Sequence, residues 1–322
     1  MRLFCRMPVR DCNVFREAGD GLAEVFVVGS INQDFVLKVE RRPEPGETVT
    51  DAGLSLHPGG KGANGAIAAA RLGAEVAMFG RVGEDAFGSE LVKNLRDNGV
   101  DTEWVEAVSD APTGSAFITV TPDGENAIVV SPGANRSFGK EEVVAAAEDL
   151  GRARVLVAQL EINTGAIEAA ACSVTGNGGR FVFNLAPPKE VPDTLLHWCD
   201  PLVVNEHEAH FLLAEDVREP EESAERLLGL SPRSVVVTLG AAGAVLAADG
   251  STQRFPAPEV EAADTTGAGD AFVGALAAKL AEGGPLEEAI PFAVLAGAAA
   301  VTREGAQGSL PTPGEVENLD GK

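Results

Sequence analysis

The sequence has few cationic side chains. Its 322 residues include 25 lysines and arginines against 49 aspartates and glutamates, which gives a formal net charge of −24. Proteins that bind nucleic acids rely on surface Lys and Arg to neutralise phosphates. The shortage of positive charge therefore argues against nucleic acid as a partner, and an anionic substrate would have to be attracted by local donors and a divalent cation.

Long apolar runs are also absent. No stretch approaches the roughly 20 apolar residues that span a bilayer, and the opening MRLFCRMPVRDCNVFREAG has scattered arginines in place of the hydrophobic core of a signal peptide. We therefore expect no membrane partner and a cytoplasmic protein.

Cysteine is scarce as well, and the spacing shows neither a CxxC pair nor a disulfide framework, which favours free thiols. The cysteines are Cys5, Cys12, Cys172 and Cys199.

The sequence does contain a regular alternation of short apolar runs and helical segments. Runs such as VFVVGS, EVAMFGRVG, RVLVAQLE and RFVFNLAP have the length of buried strands, and GANGAIAAARLGA is typical of a helix. Repeated strand–helix units predict an α/β fold, with a doubly wound, mostly parallel sheet covered by helices on both faces. Ligands in such sheets bind at the carboxyl ends of the strands.

Two segments interrupt this alternation. Residues from about 34–58 and 112–132 contain turn-punctuated strand patterns with no helix between them. We predict that they form a small antiparallel sheet that acts as a lid and excludes water from a site. Its open edges favour pairing into a homodimer. We expect residues 24–312 to form the main domain, with 1–23 as an N-terminal extension and 313–322 as a C-terminal tail.

The first glycine-rich motif, HPGGKGANGAIAAARLGA, spans residues 57–74. Its glycines permit close approach of a ligand to the backbone, and its lysine and asparagine supply hydrogen-bonding groups where a helix begins. It is not a P-loop, because a glycine follows the lysine where that motif has Ser or Thr. A tight turn with a helix-capping glycine is the structural alternative. The residues concerned are Gly59, Gly60, Lys61, Gly62 and Asn64.

The second motif, DTTGAGDAF, predicts a helix that begins near Gly267. The first-turn N–H groups of a helix lack internal partners, and the positive end of the helix dipole lies there. Gly267, Ala268 and Gly269 would let these groups reach an oxygen whose charge grows during a reaction. Asp270 would be placed to take a proton from an attacking hydroxyl. Alternatively, Asp270 only stabilises the helix N-terminus, although that role does not require three small residues before it.

A third motif, VVNEHEAH, follows another predicted strand. Asn205, Glu206 and Glu208 supply two carboxylates and an amide, the oxygen ligands that suit a hydrated Mg²⁺. The two histidines suggest zinc, but HExH is one residue shorter than the HExxH helix motif and no third ligand is evident. Magnesium is therefore the favoured metal.

Further polar or glycine residues follow other strands, in GSINQD, AQLE and TLGAAGAVL. Each is weak evidence alone, because a plain turn or a solvated side chain would explain it. Their joint occurrence at the carboxyl ends of successive strands indicates one ligand site. They are Asn32, Asp34, Glu161, Thr238, Gly240 and Gly243.

Together, GGKGAN and DTTGAGDAF resemble the paired signatures of the PfkB (ribokinase-like) carbohydrate kinase family. The similarity covers about residues 25–312, and GSINQD, PEPGETV, QLE, NEHEA and VTREGAQGSLP are most similar to its ribokinase branch. The resemblance implies a ribokinase-like fold and ATP-dependent transfer of the γ-phosphate to the 5-hydroxyl of D-ribose. Fructose, deoxyribose or a nucleoside as substrate, and a sugar-binding regulator without catalysis, remain as alternatives.

The resemblance also implies a set of site residues. Asp270 would be the base and Gly267, Ala268 and Gly269 the anion hole. Ribose would be bound by Asn32, Gln33, Asp34, Gly60, Lys61, Gly62, Ala63, Asn64, Glu161 and Asp270. ATP would contact Asn205, Thr238, Leu239, Gly240, Ala241, Ala242, Gly243, Gly269 and Asp270, with Glu208 acting on Mg²⁺ through water. A monovalent cation, K⁺, would be bound by Asp264, Thr266, Ala300, Arg303, Gly305 and Ser309, largely through backbone carbonyls.

The sequence departs from the family pattern at two places. Val294 stands where some members have a polar or histidine residue near adenine, and FNLAPP replaces the more usual Asn-Pro-Ala-Pro run. Neither change touches the expected chemistry, but the first leaves the nucleotide preference open.

Overall fold

The computed structural model describes residues 23–215 and 217–320. The predicted N-terminal extension, 1–23, lies outside the described residues except for Ala23. From Val25 onward the apolar runs form strands and the alanine-rich or amphipathic segments form helices, as their periodicity predicts.

A ten-stranded sheet lies at the centre of the domain. Its strands are β1 (Val25–Val28), β4 (Val76–Gly83), β5 (Val100–Asp101), β6 (Val105–Val108), β9 (Val155–Gln159), β10 (Arg180–Asn184), β11 (Leu202–Asn205), β12 (Ser234–Thr238), β13 (Ala244–Ala248) and β14 (Ser251–Phe255). They lie in the order β14-β13-β12-β11-β10-β9-β1-β4-β5, and β6 also pairs with β4. All pairs from β12 to β5 are parallel, whereas β13 and β14 form an antiparallel edge. The mostly parallel sheet is confirmed.

Helices cover both faces of this sheet. They are α1 (Lys61–Arg71), α2 (Ala86–Asp97), α3 (Lys140–Ala145), α4 (Ala147–Leu150), α5 (Thr164–Gly176), α6 (Asp193–Trp198), α7 (Glu206–Leu213), α8 (Pro220–Leu228), α9 (Ala268–Ala281), α10 (Leu286–Ala300) and α11 (Pro313–Asp320). Because alternate strand residues point to opposite faces, Val25 and Val27 of β1 pack in one apolar core with α1, α9 and α10, and Phe26 and Val28 pack in the other with α5. Val294 of α10 is buried in the first core.

A separate four-stranded sheet forms the predicted lid. Its strands are β2 (Asn32–Lys38), β3 (Gly53–Gly59), β7 (Gly114–Val120) and β8 (Asn126–Ser131), in the order β3-β2-β7-β8. The outer pairs are antiparallel and the central pair, β2–β7, is parallel. Since β2 begins four residues after β1 ends, the lid rises directly from the carboxyl end of a central strand.

The final segment, which the sequence suggested as a tail, contains α11. Val316 of this helix is buried against α10, and Glu315 forms an ion pair with Arg303. Within the described part of the chain, none of the helices combines the length and the apolar character needed to cross a membrane.

Candidate active site

Helix α9 begins with free backbone donors. Gly267 is its N-cap, with a φ of 81° and no side-chain cap. Ala268 donates to the Thr265 carbonyl at 3.3 Å and Ala271 to the Gly267 carbonyl at 2.8 Å. Gly269 and Asp270 lie between these two residues, and among the described residues their amides have no backbone acceptor. The first turn therefore presents two N–H groups at the positive end of the helix dipole, the arrangement that binds an anion.

The two glycines of this turn meet different requirements. Gly267 combines a positive φ with close packing, since a Cβ there would lie 3.1 Å from the backbone of Ala306. Gly269 has an ordinary helical position, and a Cβ there would meet no heavy atom within 4 Å. Gly267 thus shapes the chain, whereas Gly269 leaves space open in front of the free amides.

Asp270 is a buried carboxylate with one direct side-chain partner. The Nδ2 of Asn64 donates to its Oδ2 at 2.7 Å. Burial raises the pKa of Asp270, and the charge of Lys61 and the Asn64 hydrogen bond act against this rise, whereas the charge of Glu161 adds to it. A carboxylate whose pKa is raised by burial is a better proton acceptor than an exposed one.

Four carboxylates act on Lys61. The charges of Asp270, Glu161, Glu208 and Asp34 all raise the pKa of its ammonium group, with Asp270 acting most strongly and burial opposing them. Burial, followed by the charges of Glu161 and Asp270, raises the pKa of Asp34 to about 7. A group of buried and half-buried carboxylates around one cation offers many acceptors to hydroxyl groups, which suits a sugar.

The glycines of the first motif pack closely against the backbone of residues 29 and 30. Gly60 has a φ of 92°, and a Cβ there would lie 2.7 Å from the Ser30 carbonyl. A Cβ on Gly62 would lie 2.6 Å from the backbone of Gly29. In the structure these glycines let the start of α1 pack against the loop after β1, and close approach by a ligand stays a prediction.

That packing positions Glu161 beside α1. Its Oε2 accepts hydrogen bonds from the Ser30 hydroxyl and, at 3.1 Å, from the Lys61 backbone N–H. Glu161 follows β9, and Ser30 follows the neighbouring strand β1. Glu161 therefore lies beside the residues that follow the neighbouring strand, although Ser30 was not among the predicted site residues.

Asn32 and Gln33 lie at the base of the lid and are almost fully buried. The Oδ1 of Asn32 accepts from Asn135 at 2.7 Å, and the Nε2 of Gln33 donates to the His57 carbonyl on β3 at 2.9 Å. The Asn32 amide thus joins β2 to the segment after β8, and the Gln33 amide joins the lid strands β2 and β3 to each other. Sequence reasoning missed Asn135, because it follows a lid strand and belongs to no motif.

A cavity of about 210 Å³ connects the predicted nucleotide and phosphate residues. Sequence reasoning also missed several of its lining residues, although Asn184 ends β10 and obeys the same strand-end rule as the others. The predicted residues that line it are Lys61, Asn205, Glu208, Thr238, Gly267, Gly269 and Asp270. The additional ones are Asn184, Ala186, Val203, Val204, Thr265, Phe272 and Val273.

Asn205 and Glu208 form a capping box at the start of α7. The Oδ1 of Asn205 accepts from the Glu208 amide, and the Oε2 of Glu208 accepts from the Asn205 amide, each at 2.8 Å. Burial raises the pKa of Glu208. No group of three or more His, Cys, Asp or Glu side chains that could hold a metal ion occurs in residues 23–215 and 217–320.

The predicted nucleotide turn follows β12. Thr238 lines the cavity, and residues 240–242 form one exposed turn of 3-10 helix that the cavity does not include. Gly243 closes this turn with a φ of 93°, where a Cβ would lie 1.9 Å from the Phe255 carbonyl. Glycine is required there by packing.

The predicted cation residues lie together. Asp264 accepts from the amide and hydroxyl of Thr266 at 2.9 and 2.7 Å and from the Gly305 amide at 2.8 Å. Arg303 donates to the Ser309 carbonyl at 2.9 Å through its guanidinium, and its amide donates to the Ala300 carbonyl at 3.3 Å. The loop thus packs beside Gly267, but its Ser309 carbonyl already has a cationic partner.

Comparison with known proteins identifies the family of this chain. The sequence model of the pfkB family of carbohydrate kinases matches residues 22–313. The chain therefore belongs to the pfkB family of carbohydrate kinases.

Within this family, the chain is similar to ribokinases and to a deoxyribokinase. The chain is 37% identical over 298 residues to a ribokinase of Bacillus subtilis, covering 92% of this chain and 99% of the relative. It is 34% identical to a deoxyribokinase of Salmonella typhi, covering 90% and 96%. The structure of Arabidopsis thaliana ribokinase complexed with ribose and ATP superposes with a TM-score of 0.87 at 31% identity, covering 92% and 98%.

Proposed function

We propose that this chain is a ribokinase, which transfers the γ-phosphate of ATP to the 5-hydroxyl of D-ribose. The observation that carries the proposal is the geometry at the start of α9, where two free amides adjoin a buried carboxylate inside the cavity. Phosphoryl transfer requires alignment of the reactants and stabilisation of charge on the phosphoryl oxygens. The similarity to ribokinases over about nine-tenths of the chain favours ribose as the acceptor.

In the proposed reaction, Asp270 accepts the proton of the 5-hydroxyl. The hydroxyl oxygen bonds to the γ-phosphorus as the bond from that phosphorus to the bridging oxygen breaks, and ADP leaves. The amides of Gly269 and Asp270 stabilise charge on the transferred group. Asp34, Asn64 and Glu161 hold the sugar through its other hydroxyls, and Thr238 and the turn after it contact the nucleotide.

Magnesium fits the donors at the nucleotide end of the cavity. Mg²⁺ binds through one or two carboxylates together with substrate phosphates and keeps several waters. Glu208 supplies one carboxylate to the cavity lining, beside the amide of Asn205. Bound there, the metal would supply positive charge to the phosphates of ATP, which the acidic protein itself lacks.

The loop beside α9 has candidate ligands for potassium, although its Ser309 carbonyl already accepts a hydrogen bond from Arg303. Carbonyl oxygens of residues 300–309 and the side chains of Asp264 and Thr266 are the candidate ligands, and the loop touches Gly267. A bound ion would hold that loop against the anion site. Replacing K⁺ by Na⁺ at constant ionic strength is expected to lower kcat, and equal rates would remove the proposed role.

We also propose a cytoplasmic homodimer. Location in the cytoplasm would supply the ATP that the reaction consumes. The dimer is supported by the lid, whose apolar side chains Leu54, Ile128 and Val129 are 59%, 53% and 69% exposed. Burying such a patch against a second copy would remove apolar surface and unpaired strand edges from water.

The experiment that tests the substrate is a coupled ADP-release assay over a sugar panel. Ribose is expected to give the highest kcat/KM among ribose, 2-deoxyribose, fructose and adenosine. The similarity to a deoxyribokinase makes 2-deoxyribose the second candidate. A competitor that exceeds ribose by tenfold or more would overturn ribose as the substrate.

A further inference from the structure

The side-chain amide of Asn64 is held at both ends. Its Nδ2 donates to the Oδ2 of Asp270 at 2.7 Å, and its Oδ1 accepts from the Nε2 of Gln307 at 3.0 Å. All three side chains are buried. An amide has a donor end and an acceptor end, so a reversed Asn64 would place its oxygen against the carboxylate. The hydrogen bond from Gln307 thus selects the orientation in which Asn64 donates to Asp270.

Gln307 is held in turn from α2. Its Oε1 accepts from the Nδ2 of Asn94 at 2.7 Å, which leaves its own NH₂ group to face Asn64. The backbone carbonyl of Gln307 accepts from Arg71 at 2.8 Å, which fixes the loop. We call Asn94, Gln307 and Asn64 the amide relay. Every donor in the amide relay points toward Asp270.

We propose that Gln307 is a positioning residue for phosphoryl transfer, because it orients Asn64 so that an NH₂ group faces the carboxylate of Asp270. The proposal rests on the proposed function, in which Asp270 is the base. Gln307 lies between Gly305 and Ser309, so it also connects the predicted cation loop to the reacting carboxylate. Gln307 is connected to Asp270 through the side chain of Asn64, which hydrogen-bonds to both.

The amide relay has an electrostatic consequence. Asp270 faces Lys61 on α1 and Glu161 after β9, while Asp34 on β2 and Glu208 on α7 act on the same lysine. Lys61 and Asn64 favour the ionised form of Asp270 against burial and Glu161. If the Asn64 NH₂ group turned away, the pKa of Asp270 would rise further. The enzyme would then need a higher pH before the base is ionised.

The test compares the pH dependence of kcat/KM for ribose in Gln307→Glu and Gln307→Leu. The introduced carboxylate accepts hydrogen bonds only and would draw the Asn64 NH₂ group toward itself, whereas leucine removes the donor. Loss of a hydrogen bond to a charged group is expected to move the acid limb of the profile up by about one pH unit, and further in Gln307→Glu.

The matched control is Ser234→Ala. Ser234 is also buried and donates to Asp200 at 2.7 Å, but it begins β12 and so lies at the end of the sheet opposite the cavity. This variant is expected to lower the melting temperature without moving the acid limb. If both Gln307 variants behave like Ser234→Ala, Gln307 has only a structural role and the proposal is wrong.

Two further variants keep the test decisive. Asn94→Leu alters the outer end of the amide relay at a half-buried position and is expected to move the acid limb in the same direction, even if a Gln307 variant fails to fold. In an Asn64→Leu background, Gln307→Leu is expected to add no further shift. An additive shift would show that Gln307 acts by another route.

Failure of the amide relay is distinguishable from failure of the proposed function. If Asp270→Asn retains near-normal kcat, Asp270 is not the base and the proposed chemistry falls. If Asp270→Asn is inactive while both Gln307 variants keep the wild-type acid limb, only the positioning role is lost.

Discussion

At the residue scale, the site depends on carboxylates held in places that disfavour their charge. Asp270 is buried, and the pKa of Asp34 is raised to about 7. Lys61 partly offsets this, because its ammonium group lies among them. Such an arrangement lowers stability at neutral pH and would supply the proposed base and several hydroxyl acceptors, a compromise common in active sites.

Replacing Asp270 by Asn tests the base. The amide keeps the shape of the side chain but accepts no proton, so kcat is expected to fall by about 10²–10⁴ with ribose binding largely retained. Steady-state kinetics and calorimetric titration with ribose measure the two effects separately. A near-normal kcat would contradict the assigned role.

Replacing Asp34 by Asn tests how much the ionisation of this carboxyl lowers the free energy of unfolding. The folded-state pKa of about 7 exceeds the ordinary value of 3.8. Stability from this group is therefore present below about pH 4 and is lost as the pH rises toward 7, because only the unfolded state releases the proton easily. The variant is expected to melt at a higher temperature than the wild type at pH 8, with a smaller difference at pH 5.

The control for this comparison is the exposed Glu90, changed to Gln. Thermal unfolding without ligand across this pH range should show no comparable pH-dependent gain. A gain for Asp34→Asn that is equal at pH 5 and pH 8 would mean that ionisation of this residue is not responsible.

At the element scale, α9 joins the proposed phosphate site to the core. Its first turn lines the cavity, and its remaining residues are almost all buried between α1 and α10. A Cβ on Gly274 would lie 2.4 Å from that of Ala68, so close packing against α1 requires this glycine. The free amides are therefore fixed by a helix that is anchored along its whole length, as preorganised catalysis requires.

Substitution of Gly269 separates catalysis from folding at this helix. A Cβ there meets no atom of the protein, and alanine is a better helix former than glycine, so Gly269→Ala is expected to keep or raise the melting temperature. The methyl group would occupy the space before the free amides and lower kcat by about tenfold or more, since loss of about 1.4 kcal/mol suffices. The matched variant Gly267→Ala should be less stable because of its positive φ. Unchanged kcat in Gly269→Ala would place the phosphoryl group elsewhere.

At the scale of the whole molecule, the ten-stranded sheet supports a lid with an apolar surface. Phe117 and the edge strands β3 and β8 expose large apolar side chains. The chain as a whole is strongly acidic, with a net charge of −24. Association through the lid would cover the apolar patch while the acidic surface keeps the molecules apart in other orientations.

The variant Val129→Lys tests this association. A lysine on the edge strand β8 would be buried in a lid-to-lid dimer, so the variant is expected to be monomeric by size-exclusion chromatography with light scattering. Val144→Lys is the matched control, because Val144 is also exposed (56%) but lies on α3 outside the lid. A monomeric wild type, or dimers in both variants, would exclude the lid interface.

Much of this molecule was predictable from local sequence. Buried strands such as VFVV and helices such as GANGAIAAAR follow from apolar periodicity, and the small residues of DTTGAGDAF predicted the start of α9 near Gly267. The prediction of a separate small sheet in the two segments of the lid held, because turn signals and alternating residues act over short distances. The identification of individual ligand-binding residues stays a prediction.

The sequence by itself determined the alternation of strands and helices, the helix start near Gly267 and the strand-end positions of the polar groups, because each depends on neighbours along the chain. Only the tertiary structure decided that Gly60 and Gly62 pack against the loop after β1, and that Gln307 meets Asn64 across 243 positions. Contacts between residues so far apart depend on how whole elements pack together, and no local pattern specifies that.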